Sequence, residues 1–223
     1  MSDGEKPGLI GQIKDKLIRS KERTAAEGRH LTGKADLRRE NRLPPGQHLV
    51  EKWPVLDLGI QPDIPLDTWR LTIDGAVEHP VTLRFDEFMA LPQVHYVSDI
   101  HCVTTWSRYD NNWDGVSSGT ILDLVKPTAE AQHVIFHSHD GYTTNIKLEV
   151  FAEPDVLLAH AWEGERLTRE HGGPVRAIVP QWYFWKSAKW IQRIEFSAVD
   201  KPGFWEERGY HNEADPWTEE RYS

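Results

Sequence analysis

A chain of 223 residues, 39% hydrophobic and 27% charged, can bury the core of one domain, and this balance excludes general disorder. Its formal net charge of -9 argues against a nucleic-acid partner, because an acidic surface repels phosphates. The single cysteine, Cys102, cannot form an internal disulfide. No stretch is apolar enough for a signal peptide or a membrane span, so we expect a cytoplasmic protein without a membrane-spanning segment.

The N-terminal third contains two different patterns. Apolar residues recur near a helical repeat between residues 9 and 27, which predicts a short amphipathic helix packed on the domain. A helix that binds a membrane surface or a partner is the alternative. Five prolines and two glycines between residues 44 and 65 predict an ordered, irregular segment instead.

Strand patterns dominate the middle of the chain. Residues 69–75 alternate between apolar and polar, and residues 81–83 fit a hairpin partner. Residues 85–91 predict a short helix that ends before Pro92. Residues 94–102 alternate again, which predicts a strand with Cys102 at its end, on the more apolar face.

The second half completes an α+β pattern. Helices are predicted over residues 118–126 and 153–161, and strands over residues 134–138, 142–148, 175–179 and 190–196. The acidic, aromatic residues after Val199 are expected to pack on the domain. The predicted organisation is an N-terminal helix and linker (1–37), one domain with a β-rich, mixed-sheet core and surrounding helices (38–199), and a packed tail (200–223).

Cys102 begins the densest set of reactive side chains, between residues 100 and 116. Here the predicted strand delivers one thiol to a loop that carries hydroxyls, tryptophans and Arg108. A thiolate at such an edge can bind a thiophilic metal or act as a nucleophile. The alternative is a small buried apolar side chain without chemistry.

A second cluster lies between residues 170 and 191. A Gly-Gly-Pro turn leads into a strand with Arg176, and the next loop carries Lys186 and Lys189 among small residues. Arginine, lysine and accessible main-chain amides together favour an anion, most simply a phosphate. Solvated surface cations are the alternative interpretation.

A zinc site is a further hypothesis. His137 and His139 lie two apart on a predicted strand, so their side chains share one face. With Cys102 or His101 they could ligate zinc, although zinc ligands usually cluster more closely in sequence.

The two clusters together resemble the molybdopterin domain of sulfite oxidases, plant assimilatory nitrate reductases and the periplasmic methionine-sulfoxide reductase catalytic subunit. The resemblance runs from about residue 38 to residue 196 and rests on three motifs. They are Cys102 followed by Trp106 and W-D-G-V at 113–116, H-G-x-P-V-R-x-x-V-P at 171–180, and K-S-A-K-W-I at 186–191.

The resemblance implies a molybdenum-molybdopterin cofactor and its contacts. Cys102 matches the cysteine that coordinates molybdenum beside the two dithiolene sulfurs of one pterin, and is the one candidate catalytic residue. Ser138 is the candidate for a hydroxyl on the cofactor side, with His137 as the alternative. The remaining implied contacts are His171, Arg176, Lys186, Ser187, Ala188 and Lys189 for the pterin and phosphate, and Asn41, Arg42, Pro44 and Pro45 before the first strands. His101, Trp106, Arg108 and Tyr109 are candidate pocket walls or packing residues.

The implied reaction is two-electron oxygen-atom transfer at a small substrate such as a sulfoxide, an N-oxide or a sulfite-like anion. The aromatic run at residues 182–185 favours a less charged substrate than sulfite. Only 34 residues follow Lys189 (223 − 189), too few for the immunoglobulin-like domain of sulfite oxidases, and we expect no haem domain in this chain. A separate electron-transfer partner is therefore expected.

Two other functions stay open from the sequence. The chain could bind or carry molybdopterin without turnover, in which case cofactor is present but no substrate reacts. It could also be a metal-free enzyme that uses Cys102 as nucleophile, with His101 or His171 as the base.

Overall fold

The computed structural model describes residues 42–223. Asn41 and the helix predicted between residues 9 and 27 lie outside this range. Within it, two β-sheets form the domain, which confirms the predicted β-rich α+β fold with mixed sheets.

The first sheet has six strands. They are β1 (His48–Leu49), β4 (Val94–His101), β5 (Trp106–Ser117), β8 (Leu157–Trp162), β9 (Glu165–Arg166) and β10 (Arg176–Ile178). The central path runs β1-β5-β8-β10, with β4 on β5 and β9 on β8. Only the β1-β5 pair among these is parallel.

The second sheet has five strands in the order β3-β2-β11-β6-β7. They are β2 (Arg70–Gly75), β3 (Val81–Arg84), β6 (His133–Ser138), β7 (Thr143–Lys147) and β11 (Ile191–Ser197). Its parallel pair joins β2 to β11, and Leu71 and Ile73 of β2 are completely buried, as the alternating sequence predicts.

Three short α-helices accompany the sheets: α1 (Phe85–Ala90), α2 (Ser118–Val125) and α3 (Leu148–Phe151). Helix α2 forms where predicted because the Ser117 hydroxyl accepts a hydrogen bond from the Thr120 amide, and Ile121 and Val125 bury one face. Single 3₁₀ turns occur at Arg169–His171, Phe184–Lys186 and Glu206–Arg208.

The prediction of a helix over residues 153–161 is wrong. Residues Leu157–Trp162 form β8, a central strand between β5 and β10, and the helical turn α3 ends at Phe151. Val156, Leu157, Leu158, Ala159 and Ala161 are buried, and only His160 among these residues is half-exposed. Such a short apolar run fits a buried strand or a buried helix equally well, and pairing with β5 and β10 decides for the strand.

The prediction of a loop after Cys102 is also wrong for most of the residues concerned. Residues Trp106–Ser117 form β5, which pairs with β1, β4 and β8. Its polar residues stay in the strand because they find partners there: the Asn111 amide donates to the carbonyls of Ser98 and Arg108. Only the turn at residues 102–105 separates β4 from β5.

The residues after Val199 pack on the domain. Trp205, Tyr210 and Arg221 are buried, and the Tyr183 amide donates to the Ala214 carbonyl at 2.8 Å. The tail therefore contributes to the interior instead of lying in solvent.

Gly115 of β5 lies at a close contact with β8 in the first sheet. A Cβ atom here would lie 2.2 Å from the Leu158 carbonyl oxygen of β8, so Gly115→Ala forces the strands apart. We expect the free energy of unfolding to fall by about 2 to 3 kcal/mol in urea denaturation, a typical effect of overpacking.

The matched control is Gly119→Ala in α2. Its added Cβ meets nothing closer than 3.8 Å, so stability should stay constant or rise by up to about 1 kcal/mol from helix propensity. Equal stability of Gly115→Ala and the wild type would contradict the close contact.

Candidate functional site

One cavity brings together the two clusters that the sequence indicates. About 840 Å³ of space lies between its walls, part of it open to solvent. Its walls come from both sheets, the proline-rich segment and the tail. Among the lining residues are Cys102, Ser138, His171, Arg176, Ser187 and Lys189.

Cys102 lies in the turn between β4 and β5, and main-chain hydrogen bonds hold this turn. The Cys102 amide donates to the Trp106 carbonyl at 2.8 Å, and the Thr105 amide donates back to the Cys102 carbonyl at 3.0 Å. The Gln47 side chain donates to the same Cys102 carbonyl at 3.1 Å. Cys102 Sγ lies 3.1 Å from Thr104 Oγ1. The thiol therefore has a fixed position in the cavity wall.

Arg176 at the start of β10 is buried, with 1% of its surface exposed. Its guanidinium donates to the main-chain carbonyls of His171 at 2.9 Å and Ser187 at 2.7 Å. Burial lowers the pKa of Arg176. A buried cation whose hydrogen bonds go to neutral carbonyls creates a strong preference for an anion beside it.

Burial and neighbouring positive charge also lower the pKa values of Lys189 and His171. Burial, with help from the charge of Arg176, lowers the pKa of Lys189 from 10.5 to about 8, and Lys189 Nζ donates to the Glu170 carbonyl at 2.7 Å. Burial, then Arg176 and Lys189, lowers the pKa of His171 to about 4. The positive charges of Arg176 and Lys189 thus both favour a negative charge in the cavity, beside a neutral His171.

The close approach of Arg176 and Lys189 to the His171 loop depends on Gly172. Its φ of +100° lies in the left-handed region, and an added Cβ would lie 2.9 Å from the Cβ of Lys189 and 3.2 Å from that of Arg176. A glycine at this position lets the two basic side chains approach the His171 loop.

Two residues of the cavity lining each have a buried polar atom that stays unsatisfied among the described residues. Ser138 Oγ and Trp106 Nε1 are buried and have no hydrogen-bond partner there. Buried polar groups nearly always have partners, so both atoms indicate a polar ligand or water in the cavity. Together with the thiol and the basic groups, they fit a phosphate-bearing cofactor with a metal end.

The oxidoreductase molybdopterin-binding domain family matches residues 58–205. The chain belongs to this family. It is 44% identical over 186 residues to the oxidoreductase YuiH of Bacillus subtilis, a match that covers 82% of this chain and 92% of YuiH. The protein is thus a molybdopterin oxidoreductase of the sulfite-oxidase-like kind, as predicted.

More distant relatives share only part of their length. The protein-methionine-sulfoxide reductase catalytic subunit MsrP of Campylobacter jejuni is 28% identical over 66% of this chain and 57% of MsrP. The sulfite oxidase of Arabidopsis thaliana is 29% identical over 65% of this chain and 46% of its own. The crystal structure of the sulfane dehydrogenase SoxCD from Paracoccus pantotrophus has the same fold, with a TM-score of 0.58, 21% identity and coverage of 62% of this chain and 40% of that chain.

Several predicted contacts of this molybdopterin domain lie away from the cavity lining. Arg42 pairs with Asp99 and Asp110, Pro44 is buried, and Pro45 is exposed. His101 is buried, with Nδ1 2.8 Å from Ser107 Oγ. None of these four described residues is in the cavity lining.

Lys186 also points away from the cavity. Its ammonium lies 2.6 Å from Glu206 Oε1 and donates to the Asn145 side chain and carbonyl, at 3.0 and 2.9 Å. Lys186 therefore joins the loop to β7 and the tail, whereas neighbouring Ser187 lines the cavity and Ala188 is buried next to it. The K-S-A-K motif thus has one structural lysine and one that faces the cavity.

Sequence reasoning missed several aromatic walls. Trp53 stacks on His171 with ring centroids 3.9 Å apart and planes 8° apart. Tyr142, Trp205 and Tyr210 also line the cavity. Phe184 and Trp185 are the members of the aromatic run at 182–185 that line the cavity. Among the candidate wall residues at 101–109, Trp106 alone is in the lining. The density of tryptophan and tyrosine in the tail was the available signal.

The zinc hypothesis finds no support in the described part of the chain. Between residues 42 and 223, no group of three or more histidine, cysteine, aspartate or glutamate side chains is arranged to hold a metal. His137 Nε2 instead lies 3.1 Å from Glu195 Oε2. In the same range no helix is long and apolar enough to cross a bilayer.

The lowered pKa of Lys189 gives a pH prediction for cofactor-free protein. Sulfate, a dianion at all pH values used, should bind most tightly at pH 7 and several-fold more weakly at pH 9.5, because the ammonium loses its proton near pH 8. His171, with a pKa of about 4, stays neutral throughout. Isothermal titration calorimetry measures both affinities.

Lys189→Arg is the control, because arginine keeps its charge over this range. It should weaken the pH dependence while retaining sulfate binding, and the remaining dependence belongs to Arg176, whose pKa burial lowers to about 9. Identical wild-type affinities at pH 7 and pH 9.5 would contradict the place of Lys189 in the anion site.

Proposed function

We propose that this protein holds a molybdenum-molybdopterin cofactor in the cavity, with Cys102 as the metal ligand, and catalyses two-electron oxygen-atom transfer at a small substrate. The observation that carries the proposal is the convergence of the Cys102 thiol with Arg176, Lys189 and His171 on one cavity. A thiolate ligand and a basic anion site are the two ends that such a cofactor requires.

The residues divide into two groups of roles. Arg176 and Lys189 would neutralise the phosphate, and His171 would contact the cofactor while stacked on Trp53. Ser187 and Ala188 are small, so the main chain can approach the ligand, and the unsatisfied Ser138 hydroxyl would donate or accept a hydrogen bond. Cys102 would supply the protein's sulfur to the metal.

The bound cofactor supplies the two-electron redox chemistry, and the chain's own residues set access and charge around it. The aromatic side chains Tyr142, Trp185, Trp205 and Tyr210 form a continuous part of the wall. Trp185 and Tyr210 have ring centroids 5.0 Å apart, and Trp205 and Tyr210 5.1 Å apart. None of these four side chains carries a positive charge.

An uncharged sulfoxide or N-oxide is therefore the proposed substrate class, in preference to sulfite. A doubly charged anion needs cations to replace its lost hydration, and the basic groups of this cavity are assigned to the phosphate. The relative named as a methionine-sulfoxide reductase catalytic subunit supports the same class and a separate electron-transfer partner.

Metal analysis tests the cofactor assignment. Protein purified from a molybdenum-replete host should contain nearly stoichiometric molybdenum, and Cys102→Ser should lose most of it because the thiolate ligand is gone. Inductively coupled plasma mass spectrometry gives the metal content. Metal-free wild-type protein whose Cys102 is rapidly alkylated would instead favour a cysteine nucleophile.

A substrate comparison tests the reaction class. With reduced viologen as electron donor, the protein should reduce dimethyl sulfoxide or trimethylamine N-oxide, and should oxidise sulfite with ferricyanide far more slowly. Sulfite oxidation as the faster reaction would contradict the substrate class. Bound cofactor with neither reaction would favour a cofactor carrier.

A further inference from the structure

Arg221 is a buried cation next to the Cys102 turn. Only 1% of its surface is exposed, although it lies in the tail. Its guanidinium donates to the Val103 carbonyl at 2.7 Å and to the Pro45 carbonyl at 3.4 Å, and lies 5.0 Å from the centre of the Tyr183 ring. Val103 directly follows Cys102, so this arginine contacts the turn that carries the thiol.

The charge of Arg221 is poorly neutralised by the described residues. The ion-pair partner is Glu219, at 3.7 Å, with 47% of its side chain exposed. Arg221 Nε is buried and has no hydrogen-bond partner in this range. Burying a guanidinium is unfavourable by several kcal/mol unless charge and hydrogen bonds compensate. A negative group on the other side of Val103 would complete the compensation.

Tyr183 and Tyr222 lie within electrostatic reach of both Arg221 and Cys102. Burial raises the pKa of Tyr183 to about 12, and Arg221 and Cys102 act on it in opposite directions. The same two residues act in opposite directions on Tyr222. The charge of Arg221 is therefore within electrostatic reach of the groups that surround the thiol.

The tail holds Arg221 in place. The His211 amide donates to the Arg221 carbonyl at 3.3 Å, the Ser223 amide donates to the Gly209 carbonyl at 3.0 Å, and Tyr210 and Tyr222 form a β-bridge. Because Tyr210 lines the cavity, Arg221 connects the segment that presents Tyr210 to the turn that presents Cys102.

We propose that Arg221 is a positioning residue for Cys102: it holds the turn at residues 102–105 through the Val103 carbonyl and places a positive charge beside the thiolate and the anionic cofactor. This inference rests on the proposed role of Cys102 as the molybdenum ligand. No earlier motif includes Arg221, because it lies 119 residues from Cys102 (221 − 102).

Two variants separate the hydrogen bond from the charge. Arg221→Gln keeps a donor near the Val103 carbonyl but removes the charge, whereas Arg221→Lys keeps the charge. In holoenzyme, Arg221→Gln should lower the molybdenum content, in line with the roughly 10- to 100-fold affinity losses of other residues that support metal ligands. Its molybdenum midpoint potential should become more negative, because the substitution removes a positive charge that stabilises the reduced metal site. Arg221→Lys should restore much of the metal content and of the potential.

Arg193→Gln is the matched control. Arg193 pairs with Asp74 between β11 and β2, outside the cavity lining, so its loss tests general destabilisation. It should leave molybdenum content and midpoint potential at wild-type values. An Arg221→Gln protein with wild-type metal content and potential would overturn the proposal.

A metal-independent readout separates this inference from the cofactor assignment. In cofactor-free protein, hydrogen exchange at the Thr105 amide, which donates to the Cys102 carbonyl, should be faster in Arg221→Met than in wild type or Arg193→Gln, because methionine removes the donor to the Val103 carbonyl as well as the charge. Unchanged exchange overturns the positioning role. Wild-type protein that contains no molybdenum contradicts the proposed function instead, whatever the exchange rate.

Discussion

The guanidinium group of Arg176 is buried, and its hydrogen bonds go to main-chain carbonyls on both sides of the site. Such an arrangement is unfavourable unless an anion sits beside the charge. The rest of the cavity follows from it: Gly172 makes room, Lys189 adds a second positive charge, and the His171 carbonyl and ring are fixed between Arg176 and Trp53. The site is therefore prepared for an anionic group before any ligand arrives.

Both sheets contribute residues to this site. Arg176 belongs to β10 of the first sheet, and Lys189 lies just before β11 of the second. Cys102 comes from the turn between β4 and β5. The Ala177 amide donates to the Ala188 carbonyl, and the Ile191 amide to the Val175 carbonyl, so β10 and the lysine loop run side by side. The fold thus joins a thiol and an anion site that lie far apart in sequence.

The sequence alone indicated several residues that line the cavity, but fewer of the elements around them. Its motifs identified the family and the residues that meet in the cavity, because spacing within a local turn is visible in one short segment. It missed β5 and β8, where pairing with distant strands outweighs local pattern. Arg176 is buried, which argues against the alternative interpretation of its cluster as solvated surface cations. Trp53, Tyr210 and Arg221 reach the site only through long-range packing, which no local pattern reports.

Molybdenum K-edge X-ray absorption on purified holoenzyme tests the central claim most directly, because it reports the atoms bound to the metal. The account predicts sulfur neighbours from the pterin dithiolene and one more from Cys102. The molybdenum that Cys102→Ser still binds should lack that additional sulfur. The same sulfur count in wild type and variant would contradict Cys102 as the ligand.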